Sequence, residues 1–167
     1  MSVKKLKTTT SNEMRLSFAA VSANESFART VAAAFVSGLN PTVSEIMEIK
    51  TAVSEAVTNA VIHGYDNNGY DHYVGLVLKI FPESNGHTDG HLVYIEVSDW
   101  GVGISDIPQA MEPLYTSKPE QERSGMGFAV MESFMDSVRV ESTPGEGTRV
   151  VMSKFLPLST YCRPNEL

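Results

Sequence analysis

The sequence is poor in cysteine, since its 167 residues include a single one, Cys162, near the end. One cysteine cannot form an internal disulfide and leaves no cysteine pair for a zinc site. The chain also lacks an apolar run close to the ~20 residues that a membrane span needs. The opening segment, MSVKKLKTTTSNEM, contains lysines but no apolar stretch after them, unlike a secretory signal. These absences predict a cytoplasmic protein.

Positive charge is scarce as well. Thirteen Lys and Arg face 20 Asp and Glu, which gives a formal net charge of −7 and a pI near 5.0. Nucleic-acid binders need a positive surface that displaces counterions, so neither nucleic acid nor a membrane is expected as a direct partner. The negative field would suit a basic protein partner, but on charge alone solubility is the favoured explanation.

The length fits one domain with a single core. Residues 1–11 are polar and predicted to be a disordered extension, residues 12–157 form the domain, and residues 158–167 form a flexible tail. Apolar periodicity predicts the order strand, helix, helix, two strands, long irregular loop, helix, two strands. Successive strands joined by hairpins predict an α+β fold. We expect a two-layer α/β sandwich, with a mixed, mostly antiparallel sheet and helices on one face.

Three helices carry recognisable signals. The first has Asn24 as its expected N-cap. Its expected apolar positions are Phe27, Val31, Ala34 and Phe35. The second begins after Pro41, with Thr42 or Ser44 as cap, and runs to His63 and Gly64. The third is expected over MGFAVMESFMDSV, residues 126–138, with its methionines in the core.

The second helix carries two polar residues beside its apolar stripe. The stripe is formed by Ile49, Val53, Ala56 and Ala60. Glu55 and Asn59, one turn apart, lie together about 100° from its centre and therefore edge the core. An exposed glutamate and a tolerated mid-helix asparagine would explain the pair without any function.

Three glycine motifs follow in order, and each is weak alone. Asp99 ends a strand and is followed by Gly101 and Gly103; such a carboxylate can accept a hydrogen bond from an exocyclic amine. Gly125 and Gly127 open a helix, where free N–H groups suit phosphate oxygens. The last motif, GEGT, ends in Thr148 at the start of a strand. A turn, a helix entry and a hairpin are their plain structural alternatives.

Together, E-x-x-x-N, D-x-G-x-G, a loop ending in G-x-G, and G-x-G-T resemble the ATP-binding fold of gyrase, heat-shock chaperone, histidine-kinase and mismatch-repair ATPases (the GHKL family, with the Bergerat-type fold). No Walker-type or G-x-G-x-x-G phosphate loop competes with this interpretation. SEAVTNAVIHGY and TSKPEQERSGMGF are similar to one branch, the sporulation anti-sigma-F factors, which are serine protein kinases of endospore-forming bacteria. The resemblance covers residues 12–156.

The resemblance implies roles for the residues of the motifs. Asn59 is expected to coordinate the Mg²⁺ that bridges the ATP phosphates, and Glu55 to act as general base toward the attacking hydroxyl. Asp99 and Thr148 are expected to read adenine, with Gly101 and Gly103 making room for it.

The loop over residues 116–127 is the implied lid over the phosphates. Arg123 is the preferred γ-phosphate contact and is counted with Glu55 as catalytic, although a solvated surface arginine is the alternative. The other expected nucleotide contacts of the lid are Thr116, Lys118, Ser124, Gly125, Met126 and Gly127.

The resemblance also implies protein partners: a sigma-F factor, an anti-anti-sigma antagonist that is the phosphorylation substrate, and a second copy in a homodimer. Arg29 matches a partner-contact position, and Thr58 is expected to be exposed beside the metal ligand. A nucleotide-dependent binding switch without phosphoryl transfer is the alternative function. A histidine-kinase catalytic domain is disfavoured because the chain has no long coiled coil to carry a phosphoacceptor histidine.

Overall fold

The structure is a computed structural model that describes residues 10–65, 71–84, 88–115 and 125–158. The strands are β1 Asn12–Ala19, β2 Tyr73–Ser84, β3 Asp89–Asp99, β4 Ser137–Thr143 and β5 Gly147–Pro157. The helices are α1 Ala23–Ser37, α2 Val43–Asn59, α3 Ile107–Ala110 and α4 Gly127–Phe134. A π-helical turn, Ala60–Gly64, continues α2. None of the helices in the described ranges has the length and apolar character to cross a membrane.

Most of the expected N-terminal extension and C-terminal tail falls in residues 1–9 and 159–167, outside the described residues. Ser11, assigned to the extension, donates both its backbone N–H and its hydroxyl to the carbonyl of Ile80. The contact between β1 and β2 therefore includes residue 11.

The five strands form one sheet in the order β1-β2-β3-β5-β4, and all four pairings are antiparallel. The sheet is thus more regular than the mixed, mostly antiparallel one expected. Both hairpins are confirmed, and β2 and β3 pair as far as Ser84 opposite Asp89. The β3–β2 register matters most for the site, because it places Val74 opposite Asp99 at the last rung.

One face of the sheet is buried under the helices. Val74, Leu76 and Leu78 of β2 are fully buried and alternate with less buried neighbours, as period-two patterning requires. Helix α2 packs between α1 and α4 and contacts β3, while α1 contacts β2. The predicted two-layer α+β architecture with helices on one face is confirmed.

The N-terminus of α2 is as predicted and that of α1 is not. Thr42 accepts the N–H of Glu45 while the Glu45 carboxylate accepts the N–H of Thr42, a capping box. In α1 the N-cap is Ser22, and Asn24 instead donates its side-chain amide to the carbonyl of Ala19.

The apolar face of α1 was predicted only in part: Phe35 packs against the core, but Phe27 and Ala34 are exposed. The fully buried residues are Ala28, Ala32 and Val36, whereas Phe27 is 49% exposed and packs its ring edge to face against Phe18. Small residues bring α1 close to α2, and this close approach overrides the larger apolar side chains.

Helix α4 is shorter than predicted. It ends at Phe134 because Met135 is extended and Asp136 already pairs with Ser153 of β5. Met131 and Met135 are buried as expected, but Met126 is 41% exposed and does not belong to the core.

Lys154 of β5 joins two helices. Its ammonium group contacts the Glu48 carboxylate of α2 at 2.7 Å and donates to the Phe134 carbonyl at the end of α4. The hydrogen bond from Lys154, followed by one from Ser44, lowers the pKa of Glu48 below its ordinary value.

Replacing Glu48 with Gln is expected to lower the free energy of unfolding by about 1 kcal/mol at neutral pH, because the charge-assisted bond is lost. A carboxylate with a lowered folded-state pKa stabilises the protein above its unfolded-state pKa and loses this effect as the pH falls through the folded value. The difference in the free energy of unfolding between the two proteins, measured by urea titration, should therefore be smaller at an acidic pH below the ordinary pKa of glutamate than at neutral pH. An equal difference at both pH values would contradict the assignment.

Candidate functional site

Asp99 is a buried carboxylate at the end of β3, with 8% of its surface exposed. Its Oδ1 atom accepts the backbone N–H groups of Gly101 at 3.0 Å and Thr148 at 3.2 Å. No described residue donates to Oδ2. Burial raises the pKa of Asp99, and the two N–H bonds oppose this shift. One oxygen is thus held by the backbone while the other can accept a bond from a ligand.

The end of α2 packs directly on the loop after Asp99. A Cβ atom on Gly101 would lie 2.1 Å from the carbonyl oxygen of Gly64, and one on Gly64 would lie 3.0 Å from the Asp99 Cγ. Val102 also donates its N–H to the Gly64 carbonyl. Gly101 is therefore required by the close approach of the Gly64 backbone, whereas a side chain at position 64 would press on the carboxylate of Asp99.

Gly103 has a φ of +71°, and a Cβ there would lie 2.2 Å from the carbonyl oxygen of Thr143. Like Gly101, Gly103 both packs against a neighbouring backbone segment and lines the cavity of the site.

Glu55 and Asn59 meet the beginning of α4. A Cβ atom on Gly127 would lie 3.2 Å from Oε2 of Glu55 and 3.3 Å from Oδ1 of Asn59. The two side chains therefore point to the same place, as their spacing on α2 predicts, and a larger residue than glycine at position 127 would press on both of them. The first N–H groups of a helix have no intrahelical partner, so the carboxylate, the amide and these donors converge.

Thr148 is fixed by a residue that the sequence did not reveal. Its hydroxyl lies 2.9 Å from that of Ser142, which also donates to the Gly147 carbonyl and accepts the N–H of Ile104. Ser142 thus joins the β4–β5 hairpin to the loop after β3. No motif marks Ser142, because its role depends on pairing across the hairpin.

A cavity of about 770 Å³ lies between these segments. This volume is within the range of ligand pockets. The predicted site residues that line it are Asn59, Asp99, Gly101, Gly103, Gly125, Gly127 and Thr148. The acceptor at Asp99, the amide of Asn59 and the start of α4 therefore open into one space.

Known proteins share this sequence and architecture. Residues 18–154 match the family described as the histidine kinase-like ATPase domain. The anti-sigma F factor of Bacillus licheniformis is 50% identical over 89% of this chain and 95% of its own length. The anti-sigma F factor of Clostridium acetobutylicum is 54% identical over 88% of this chain and 96% of its own. The chain belongs to the anti-sigma F factor family.

A solved structure agrees at the level of the fold. The crystal structure of the RsbU and RsbW domains of a Mycobacterium tuberculosis protein has a TM-score of 0.56 and 19% identity. It is matched over 87% of this chain and 33% of that protein, so this chain spans one third of its length. This likeness shows a shared fold.

The lid expected in this family is described only at its ends. Thr116, Lys118, Arg123 and Ser124 lie outside the described residues. Leu114 donates its N–H to the carbonyl of Gly125, and Tyr115 and Gly125 line the cavity. Both ends of the predicted lid therefore lie beside the site, while the contact proposed for Arg123 stays a prediction.

Of the two positions expected to contact partners, Arg29 lies where α1 packs on α2. The guanidinium group of Arg29 donates to the hydroxyl of Ser26 at 2.5 Å and to that of Ser54 at 3.5 Å. Thr58, one turn after Ser54, is half-buried and not fully exposed as expected.

Proposed function

We propose that this chain is a cytoplasmic anti-sigma factor and ATP-dependent serine kinase, which binds a sigma-F factor and phosphorylates its anti-anti-sigma antagonist on serine. The observation that carries the proposal is that Glu55 and Asn59 meet at the start of α4, beside the cavity that Asn59, Gly127 and Asp99 line. The names of the similar proteins support the sigma factor as partner.

Asp99 would define the adenine end of this site. Its Oδ2 would accept the exocyclic amine, while Oδ1 stays bonded to Gly101 and Thr148. A guanine would present a carbonyl oxygen to the same carboxylate, and two acceptors repel each other. The site therefore favours ATP over GTP.

The phosphates would extend toward α4. The unpaired N–H groups at its start and the positive end of its dipole attract phosphate oxygens. Mg²⁺ in phosphoryl-transfer sites takes one or two protein oxygens and completes its shell with phosphates and water. The amide oxygen of Asn59, directed to the start of α4, suits this role, and a bound Mg²⁺ would neutralise phosphate charge there.

Glu55 would act on the incoming serine. Its carboxylate accepts the hydroxyl proton as the serine Oγ forms a bond to the γ-phosphorus. The bond from that phosphorus to the β–γ bridging oxygen breaks, and ADP leaves with the electron pair. The products are phosphoserine, ADP and a protonated Glu55 that returns its proton to water.

The deciding experiment is transfer of γ-labelled phosphate from Mg-ATP to the candidate antagonist protein, followed by identification of the labelled residue. Label on serine supports the kinase. ATP binding without transfer, together with nucleotide-dependent sigma-factor binding, would favour the alternative of a binding switch.

Asn59→Ala is expected to weaken Mg-ATP binding roughly tenfold or more, the scale of loss seen when a metal coordination shell is disturbed. Calorimetry with and without Mg²⁺ measures the effect. Wild type and variant should bind metal-free ATP alike, because Asn59 acts through the metal. Unchanged Mg-ATP affinity would refute the ligand assignment.

We further propose that the chain is a homodimer, as the family resemblance implies. Light scattering at working concentration tests it, and a monomer would remove this part of the proposal.

A further inference from the structure

Tyr65 is a buried side chain that none of the roles above uses. It follows the π-helical turn that ends α2, and 8% of its surface is exposed. Its ring stacks on that of His72, with centroids 4.6 Å apart and planes at 4°. The ring is thereby held at the edge of the cavity, which both residues line.

The hydroxyl of Tyr65 makes two hydrogen bonds to backbone groups. It accepts the N–H of Trp100 at 2.6 Å and donates to the carbonyl of Tyr73 at 2.8 Å. Burial raises the pKa of Tyr65 above its ordinary value, so the hydroxyl keeps its proton and stays a donor at neutral pH.

The N–H of Trp100 and the carbonyl of Tyr73 would otherwise bond to each other as the next pair of the sheet. The β2–β3 register pairs Val74 with Asp99, and its continuation would place Tyr73 opposite Trp100. In the structure the Tyr65 oxygen stands between them and bonds to both. The side chain of Tyr65, which follows the π-helical turn after α2, thus takes the place of the direct backbone bond between the two strands.

The bond between Tyr65 and Trp100 affects the position of the Asp99 carboxylate. With Trp100 bonded to Tyr65, the chain leaves the sheet and turns, so that Gly101 can donate its N–H back to Oδ1 of Asp99. A direct bond from Trp100 to Tyr73 would draw the start of this turn toward β2. The position of Oδ1, and with it the direction of Oδ2, depends on the inserted hydroxyl.

We propose that Tyr65 is a positioning residue for adenine recognition, whose hydroxyl replaces one rung of the sheet and thereby orients Asp99. Tyr65 is the residue after Gly64, which packs on Gly101, so the end of α2 sets both sides of the turn. This inference rests on the proposed nucleotide site, since it assigns no new ligand. Through Tyr65, the helix that carries Glu55 and Asn59 contacts the segment that forms the adenine end of the cavity.

Tyr65→Phe tests the hydroxyl with little change in shape. The probes are ATP and purine riboside triphosphate, which lacks the 6-amino group. Loss of a correctly directed hydrogen bond should lower ATP affinity about three- to tenfold and leave the analogue nearly unchanged. The ratio of the affinity for ATP to the affinity for the analogue should therefore fall by the same factor.

Tyr94→Phe is the matched control. Tyr94 lies on β3, and its hydroxyl bonds to Glu96 and Arg149, neither of which lines the cavity. Removal of the Tyr94 hydroxyl is expected to change the free energy of unfolding but not the ratio of the affinities for ATP and purine riboside triphosphate. If Tyr65→Phe behaves in the same way, with lower stability and an unchanged ratio, Tyr65 is only structural and the inference is overturned.

Hydrogen exchange of the Trp100 amide in the wild-type protein provides a test that needs no folded variant. The amide should be protected without nucleotide, because the Tyr65 oxygen accepts it, and rapid exchange would overturn the inference. A wild type that binds ATP no better than the analogue would contradict the proposed adenine site itself. A discriminating wild type with an equally discriminating Tyr65→Phe variant would overturn the positioning role alone.

Discussion

Glu55→Gln is expected to reduce serine phosphorylation by about 100- to 10,000-fold, the usual contribution of a general base. Glutamine has the shape of glutamate but cannot take the hydroxyl proton. The carboxylate lies beside the start of α4, next to Asn59. ATP affinity should stay within about threefold of the wild type, because the base acts on the incoming serine and not on the nucleotide.

Single-turnover transfer from labelled Mg-ATP, measured beside calorimetric ATP binding, separates these effects. Glu48→Gln is the matched control, since Glu48 lies on the same helix but bonds to Ser44 and Lys154, away from the cavity. It should phosphorylate at the wild-type rate under conditions where it is folded. Normal phosphorylation by Glu55→Gln would remove the general-base assignment.

The same pair of measurements decides between the two candidate functions. A switch that only binds nucleotide has no need of a base, so Glu55→Gln would leave its sigma-factor binding and its nucleotide response intact. A kinase would lose transfer and keep the sigma-factor complex. Following sigma-factor binding in the same preparation therefore distinguishes a lost reaction from a lost interaction.

The sequence predicted the site where spacing alone determines geometry. Glu55 and Asn59 are one turn apart on a capped helix, and no tertiary contact can separate them. Asp99 at a strand end could be placed because alternation fixes which side of the sheet its side chain faces. Local periodicity is sufficient in both cases.

Prediction failed where tertiary contacts override local preference. Phe27 was assigned to the buried face of α1, but alanines at 28 and 32 allow closer approach to α2. The helix expected to reach residue 138 stops at Phe134 because β4 pairs with β5 from Ser137 onward. Tyr65 and Ser142 were missed because both act by bonding to segments far along the chain.

Asp99→Asn is expected to lower ATP affinity about 100-fold without unfolding the protein, because a buried donor would then face another donor. The amide oxygen of Asn can still accept the N–H groups of Gly101 and Thr148, which holds the side chain in place. That orientation leaves the amide NH₂ where Oδ2 stood, directed at the adenine amine. Asp99→Ala would remove the acceptor but add no opposing donor, so it should weaken the adenine preference without reversing it.

A reversed nucleotide preference in the Asp99→Asn variant tests the contact more specifically than a loss of ATP affinity does. A nucleotide with a 6-oxo group, such as ITP, offers an acceptor to the new NH₂ group and should bind the Asn variant better than ATP does, whereas the wild type prefers ATP. Competition between ATP and ITP in one titration measures this directly, and thermal unfolding of both proteins checks the fold. The substitution also removes a carboxylate whose pKa is raised by burial, so the variant should not lose stability from ionising that group as the pH rises. An Asn variant that still preferred ATP would show that Asp99 does not contact the exocyclic amine, and the orientation of the nucleotide in the cavity would have to be reversed.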